Sequence, residues 1–353
     1  MRALSTVLAA FALCLAGAHA ASATELSPAC ASPGQPVHEA GFVIIGGIQQ
    51  WVVADGADCA NPVVLIVHGG PGNPNTPFAR NIFGDWERDF TVVQWDQRGS
   101  GKTYGANRPD EDEPLTLQTL TSDGVEAARY ASERFGKRKL ILMGGSWGSA
   151  LATHMAMAAP DLFHAYVGTG QLVNYQDELK LGYAQVLARA TANGDTDVLA
   201  RLEALGPPPW TDPRAFGALR RISRQYEAAV TDPAPSAWFT FGPGYDTPEY
   251  EADYSAGEDY SFFAFVGPAN NGMGSGIDLR ALGTRFAMPV YLLQGDEDLV
   301  TLPDISRAYF DDISAPAKTY VPLARTGHDP NPTMIEAQHQ ALMQIRPAAL
   351  AAD

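Results

Sequence analysis

Cysteine is scarce in this chain, three in 353 residues, and basic residues are few, 24 lysines and arginines against 40 aspartates and glutamates. The resulting net charge of -16 repels nucleic acid and anionic membrane surfaces alike, so neither is expected as a partner. A cationic or amine-bearing small molecule suits such a surface better. No His/Glu/Cys cluster shows ligand spacing, so no metal and no other cofactor is implied. Beyond the first twenty residues no segment is long and apolar enough to cross a bilayer, which argues against a membrane anchor. Internal repeats and low-complexity tracts are missing too, and nothing in the sequence indicates the oligomeric state. What remains is an ordinary globular composition, 46% hydrophobic, with length for one large core or two domains.

The first twenty residues, MRALSTVLAAFALCLAGAHA, carry Arg2, an apolar run from Val7 to Leu15 and the small-x-small end Ala18-His19-Ala20. That is the layout of a cleaved secretory signal, and Leu13 before Cys14 does not suit lipoprotein processing. The chain is therefore expected to be exported, to the periplasm or beyond. Cleavage leaves Cys30 and Cys59, a pair bound for an oxidising compartment. They read as one disulfide, with two buried thiols as the plainer alternative.

From residue 41 the chain alternates strand and helix. GFVIIGGIQQWVVADG reads as two short strands, and PVVLIVHGG, FTVVQWD, RKLILMGG and HAYVGTG as further strands, the apolar ones buried on both faces. TSDGVEAARYASERFG reads as a helix capped by Asp123, with Glu126 three residues on, and stopped by Gly136. WGSALATHMAMAAP reads as a helix ended by Pro160. Such alternation means an α/β fold with a mostly parallel sheet. It lapses over 171–287, where YQDELKLGYAQVLARATANG, TDVLARLEALG and DPRAFGALRRISRQYEAAV are helical and residues 238–276 are aromatic and glycine-rich. It resumes with MPVYLLQGDEDLV, AKTYVPLARTGH and a last helix, PTMIEAQHQALMQI. The expected organisation is a signal over 1–20, a core over 21–170, a helical cap over 171–287 and the rest of the core over 288–353.

DQRGSGKT, residues 96–103, ends like a phosphate-binding loop. A P-loop needs glycine where Asp96 stands, and a helix where YGANRPDEDEP offers turn residues and acid, so nucleotide binding is set aside. The informative stretch is LILMGGSWGSA. Gly144-Gly145-Ser146-Trp147-Gly148 is GxSxG between a buried strand and a helix, where a tight turn exposes the Ser146 hydroxyl. A serine needs a base steadied by an acid. Among His154, His164, His328 and His339, only His328 lies in a glycine-bounded loop after a strand; His339 reads as solvent-exposed. The acid comes from Asp296, Glu297 or Asp298, which residue types alone do not separate. For the oxyanion, Trp147 offers one N–H and the loop of VHGGPG, residues 67–72, the other.

HGGPG at 68–72, WDQRGSGKT at 95–103 and GGSWGS at 144–149 together resemble the α/β-hydrolase proline iminopeptidases, serine aminopeptidases that remove an N-terminal residue. The resemblance implies an α/β-hydrolase fold with a cap, Ser146 as nucleophile, Asp298 as acid, His328 as base, and Gly70 with Trp147 as oxyanion donors. It also implies that Asp96 and Arg98 form a structural pair under the site. Cap glutamates hold the substrate amine in that family; Glu227 in Tyr-Glu-Ala and Glu258 in GEDYSFF loosely resemble them. The expected substrate is a small peptide or other small molecule. The alternatives are an esterase or amidase on the same triad, and a non-catalytic binding protein on this scaffold, which the intact Ser, Asp and His oppose.

Overall fold

The computed structural model describes residue 30, residues 32–109 and residues 114–352; the signal reading of residues 1–20 and part of the acidic stretch after Thr103 lie outside them. Among the described residues one sheet has eight strands: β1 Val37–Ile45, β2 Ile48–Gly56, β3 Val63–Val67, β4 Thr91–Trp95, β5 Leu140–Gly145, β6 Phe163–Thr169, β7 Val290–Gly295 and β8 Lys318–Leu323. Their order is β1-β2-β4-β3-β5-β6-β7-β8. β1 and β2 form an antiparallel hairpin on the β4 edge, and β4 to β8 run parallel. In the short parallel strands every second residue faces the same side. Val63, Leu65 and Val67 join one core with Leu140 and Leu142, while Val64 and Ile66 join the other with Ile141 and Met143.

The helices in chain order are α1 Ala79–Phe83, α2 Gly101–Ala106, α3 Leu117–Phe135, α4 Trp147–Ala158, α5 Tyr175–Asn193, α6 Thr196–Leu205, α7 Arg214–Ala228, α8 Pro248–Val266, α9 Leu279–Leu282, α10 Pro303–Asp312 and α11 Pro332–Ala352. α3 and α4 pack on one face of the sheet and α11 on the other. α5 to α9 fall between β6 and β7. Strand order turns back between β3 and β5, and at such a switch point the loops leaving the carboxyl ends of the strands part to form a crevice. His68 to Gly72 leave β3 there, and Ser146 leaves β5. Cys30 and Cys59 are joined by a disulfide, Cα atoms 5.2 Å apart, tying the segment before β1 to the turn before β3.

Four local expectations need correction. α3 begins at Leu117 behind a Thr116 cap, not at Asp123. Asp123 is instead a buried interior residue that binds Arg98, N to O 2.8 Å, and Glu126 accepts the Gly46 N–H. Residues 248–266, inside the stretch read as aromatic and glycine-rich, are one 19-residue helix. A helix does form at the GSGKT stretch, but α2 begins inside it at Gly101 and has only six residues. His339 is half-buried on α11, its ring 5.9 Å from and stacked on Trp86, with Nε2 3.4 Å from Asp89.

Candidate active site

Ser146 sits at φ +54°, ψ -126°, between β5 and α4. For a residue with a Cβ this is a strained conformation, held only because its surroundings fix it. Ser146 N–H donates to Thr169 O at 3.0 Å. A Cβ on Gly144 would strike the Gly148 carbonyl, and one on Gly148 the Val67 carbonyl. The glycines therefore let β5 and α4 close on β3 around the serine, and the hydroxyl is left at the tip of the turn.

His328 faces that hydroxyl from the loop after β8, Nε2 to Oγ 2.8 Å. Its Nδ1 lies 3.0 and 3.1 Å from the two oxygens of Asp298. Asp298 is 1% exposed. Burial pushes its carboxyl up, but the His328 charge and hydrogen bonds from His328, Thr301 and Val300 outweigh that and hold it below the usual carboxylate range. The neighbours it was not separable from have other company: Asp296 is exposed, and Glu297 pairs with Arg189 at 2.9 Å.

The loop after Asp298 has an uncommon set of acceptors. Leu299 N–H donates to Glu227 Oε1 at 2.7 Å, Val300 and Thr301 N–H to Asp298 Oδ1 at 2.8 and 2.9 Å, and Leu302 N–H to Glu178 Oε2 at 2.7 Å. Four successive amides thus end on carboxylates, the outer two supplied by α7 and α5. Charge-assisted bonds of this kind are the strong ones.

On the other side of Ser146, Gly70 (φ +110°) and Trp147 border the same cavity as the serine. Gln97 ties both flanks together, its Nε2 donating to His68 O at 2.9 Å and its Oε1 accepting from Trp147 Nε1 at 3.0 Å. Burial lowers the His68 pKa to about 4, so its ring is neutral and accepts the Gln97 N–H. Asp96 and Arg98 do not pair with each other. Asp96 accepts from Thr76 Oγ1 at 2.6 Å and from Lys102 N at 2.9 Å, while Arg98 reaches Asp123 and Gly46 O. A carboxylate therefore occupies the amide that a phosphate would need, and Lys102 Nζ lies over Trp51 and Tyr245, 4.2 and 4.1 Å from the ring centres. GSGKT is an internal brace.

The cavity above Ser146 is lined by Leu172, Leu179, Phe216, Leu219 and Phe265, with Glu178 and Arg220 as its charged residues. The two glutamates expected to reach a substrate amine are elsewhere. Glu258 is exposed on α8. Glu227 is 4% exposed and close to Asp298 and His328, but one oxygen holds Leu299 N–H and the other lies 3.5 Å from Arg220. Burial and the Asp298 charge raise its pKa, against Arg220 and His328. Glu178 was missed in the sequence, although a signal exists: it stands in the buried stripe of α5 with Tyr175, Leu179, Gly182, Tyr183 and Val186. A lone carboxylate on such a stripe needs a partner.

A family profile described as the alpha/beta hydrolase fold matches residues 62–333. The chain belongs to the alpha/beta hydrolase family. As such it is a hydrolase, and its relatives agree with the iminopeptidase resemblance. It is 28% identical over 305 residues to a protein named probable aminopeptidase YbaC of Bacillus subtilis, covering 81% of this chain and 89% of that one. It is 26% identical over 300 residues to a probable proline iminopeptidase of Streptomyces coelicolor, covering 79% and 87%. The proline iminopeptidase structure of Mycobacterium smegmatis superposes with a TM-score of 0.60 at 18% identity, over 89% of this hydrolase and all of that chain. Among the described residues no helix is long and apolar enough to cross a membrane, and no group of three or more His, Cys, Asp and Glu is placed to hold a metal.

Proposed function

We propose that this hydrolase is an exported serine aminopeptidase, similar to proline iminopeptidases, that releases an N-terminal residue through an acyl-enzyme. The observation that carries the reading is the unbroken line from Ser146 Oγ through His328 to buried Asp298, opening into a cavity closed by cap helices. Ser146 Oγ attacks the carbonyl of the N-terminal residue while His328 Nε2 takes its proton. His328 then gives that proton to the departing amine, and a water repeats the sequence to free the acid. Asp298 keeps Nδ1 protonated and steadies the imidazolium. Negative charge on the carbonyl oxygen falls to the N–H groups of Gly70 and Trp147. The pocket, with its apolar walls, admits one side chain or a proline ring. Export follows from the signal-like first twenty residues and accords with the disulfide.

The test is a panel of aminoacyl arylamides with free and acetylated N-termini, run beside aryl esters. Hydrolysis confined to the free-amine arylamides and esters is the expected result. Ester cleavage without any arylamide cleavage would replace the aminopeptidase with an esterase on the same triad, and failure of a fluorophosphonate to label Ser146 would leave a binding protein.

A further inference from the structure

Glu178 uses its two carboxylate oxygens differently. Oε2 accepts the Leu302 N–H at the end of the loop that carries Asp298, at 2.7 Å. Oε1 is buried and makes no hydrogen bond of good geometry; its one neighbouring donor is the Val173 N–H, close enough to the carboxylate to favour its charge but poorly aligned. The residue is 4% exposed and lines the cavity over Ser146. A buried acceptor without a donor is unfavourable, so a ligand that brings one gains what the empty pocket lacks. The rest of the wall makes the kind of donor specific. Its remaining charged group, Arg220, is already engaged by Asp329 at 2.9 Å and Glu227 at 3.5 Å, and the other main walls are apolar. Burial above all, with the Asp298 charge behind it, pushes the Glu178 carboxyl well above the usual carboxylate range. A cation beside it would supply the missing countercharge.

We infer that Glu178 is the specificity-determining residue of the pocket, Oε1 receiving the ammonium of the substrate while Oε2 holds the acid loop in place. Binding of the amine and the setting of Asp298 thereby share one side chain. Glu227 is its counterpart at the other end of the loop, but with both oxygens committed it positions the loop and reads nothing. The inference rests on the aminopeptidase reading, and it assigns the amine to neither of the glutamates that the family resemblance suggested.

The test uses the p-nitrophenyl esters of alanine and of isobutyrate, which share a scissile bond and differ only by an amino group in place of a methyl. Glu178→Gln keeps an oxygen for Leu302 N–H and removes the ionisable carboxyl that an ammonium would pair with. The ratio of kcat/KM for the alanine ester to that for the isobutyrate ester is expected to fall on the order of a hundred-fold, whatever loss both esters share through the loop. Glu227→Gln should change both esters alike and leave the ratio within about two-fold. An unchanged ratio in Glu178→Gln overturns the inference. Wild-type protein gives a second measurement that no folding defect can affect: alaninamide should inhibit hydrolysis of the isobutyrate ester at least roughly ten-fold more tightly than isobutyramide, and equal inhibition overturns the inference too. The aminopeptidase reading is judged separately, on wild-type cleavage of arylamides.

Discussion

The sheet and the cap place their groups by different means. In the sheet, backbone does the placing: Ser146 is presented by a strained turn, and the N–H groups proposed to receive the oxyanion are main-chain groups at the ends of β3 and β5. In the cap, side chains do it: Glu178 and Glu227 reach out of α5 and α7 to take amides of a loop that belongs to the sheet. Backbone geometry is set by a local motif and tolerates little. Side-chain reach depends on where a whole helix has packed, so the same task can pass from one residue to another. The cap is accordingly where chemistry is adjusted and the sheet where it is fixed.

The largest test of that contrast is Ser146→Ala, expected to lower kcat on the order of a million-fold with an unchanged melting profile, since nucleophile and base act as one unit. Aryl ester turnover retained at even roughly a tenth of wild type would remove Ser146 from the reaction. Asp298→Asn should cost on the order of ten-thousand-fold, because the amide leaves His328 in the wrong tautomer. Asp296→Asn and Glu297→Gln, on the solvent side of the same loop, should stay within about three-fold; a reversed ranking would move the acid.

Where cap meets sheet, Gly72 has φ +91°, and a Cβ there would stand 2.8 Å from Glu258 Cα and 3.0 Å from Gly257 O. Gly72→Ala is expected to cost more than about 2 kcal/mol in urea unfolding, since both the conformation and the backbone contact resist it. A neutral result would show that α8 can lift away.

Smallest per step, at about 1 kcal/mol per pH unit, is the effect expected at the floor of the sheet. Burial raises the Asp96 pKa to about 7, from 3.8, in spite of the donors Thr76 and Lys102. The folded state therefore holds a proton that the unfolded state releases between those values, so this carboxyl makes the protein less stable as pH rises from about 4 to 7. Asp96→Asn should gain on wild type by about 1 kcal/mol per pH unit across that window and stay level above it. Urea midpoints at pH 4.5 and 7 decide the sign.

The sheet was largely legible in the sequence because its signals are local. Runs such as VVLIV, GxSxG after LILM, and Gly136 as a left-handed stop state their structure within a few residues. The acid was not decided by residue type, since Asp296, Glu297 and Asp298 differ only in which one the β7 loop turns inward. α8 went unread although Thr247 caps it, Pro248 opens it and Glu249 and Glu251 follow. Its aromatic residues and internal Gly257 mask the helical period, and a Cβ on that glycine would crowd Gly99 O at 3.0 Å and Tyr104 Cβ at 3.1 Å. Glu178 shows the same limit: its stripe on α5 is visible, but the amide it holds lies 124 positions away.

That docking of α8 bears on how the protein can be rebuilt. Gly257 lies against Gly99, Ser261 Oγ donates to Gly99 O at 2.8 Å, and the Glu258 backbone faces Gly72. This helix is thus the outer wall of the turn after β3, although it arrives with the cap in the chain. A chimaera that exchanged all of 171–287 for another protein's segment would take that wall away and leave the Gly-rich turn unsupported. A shorter cassette, from Tyr175 to Ala228 with α8 retained by the host scaffold, spares that wall, but it must bring its own acceptors for the Leu299 and Leu302 amides that Glu227 and Glu178 now take.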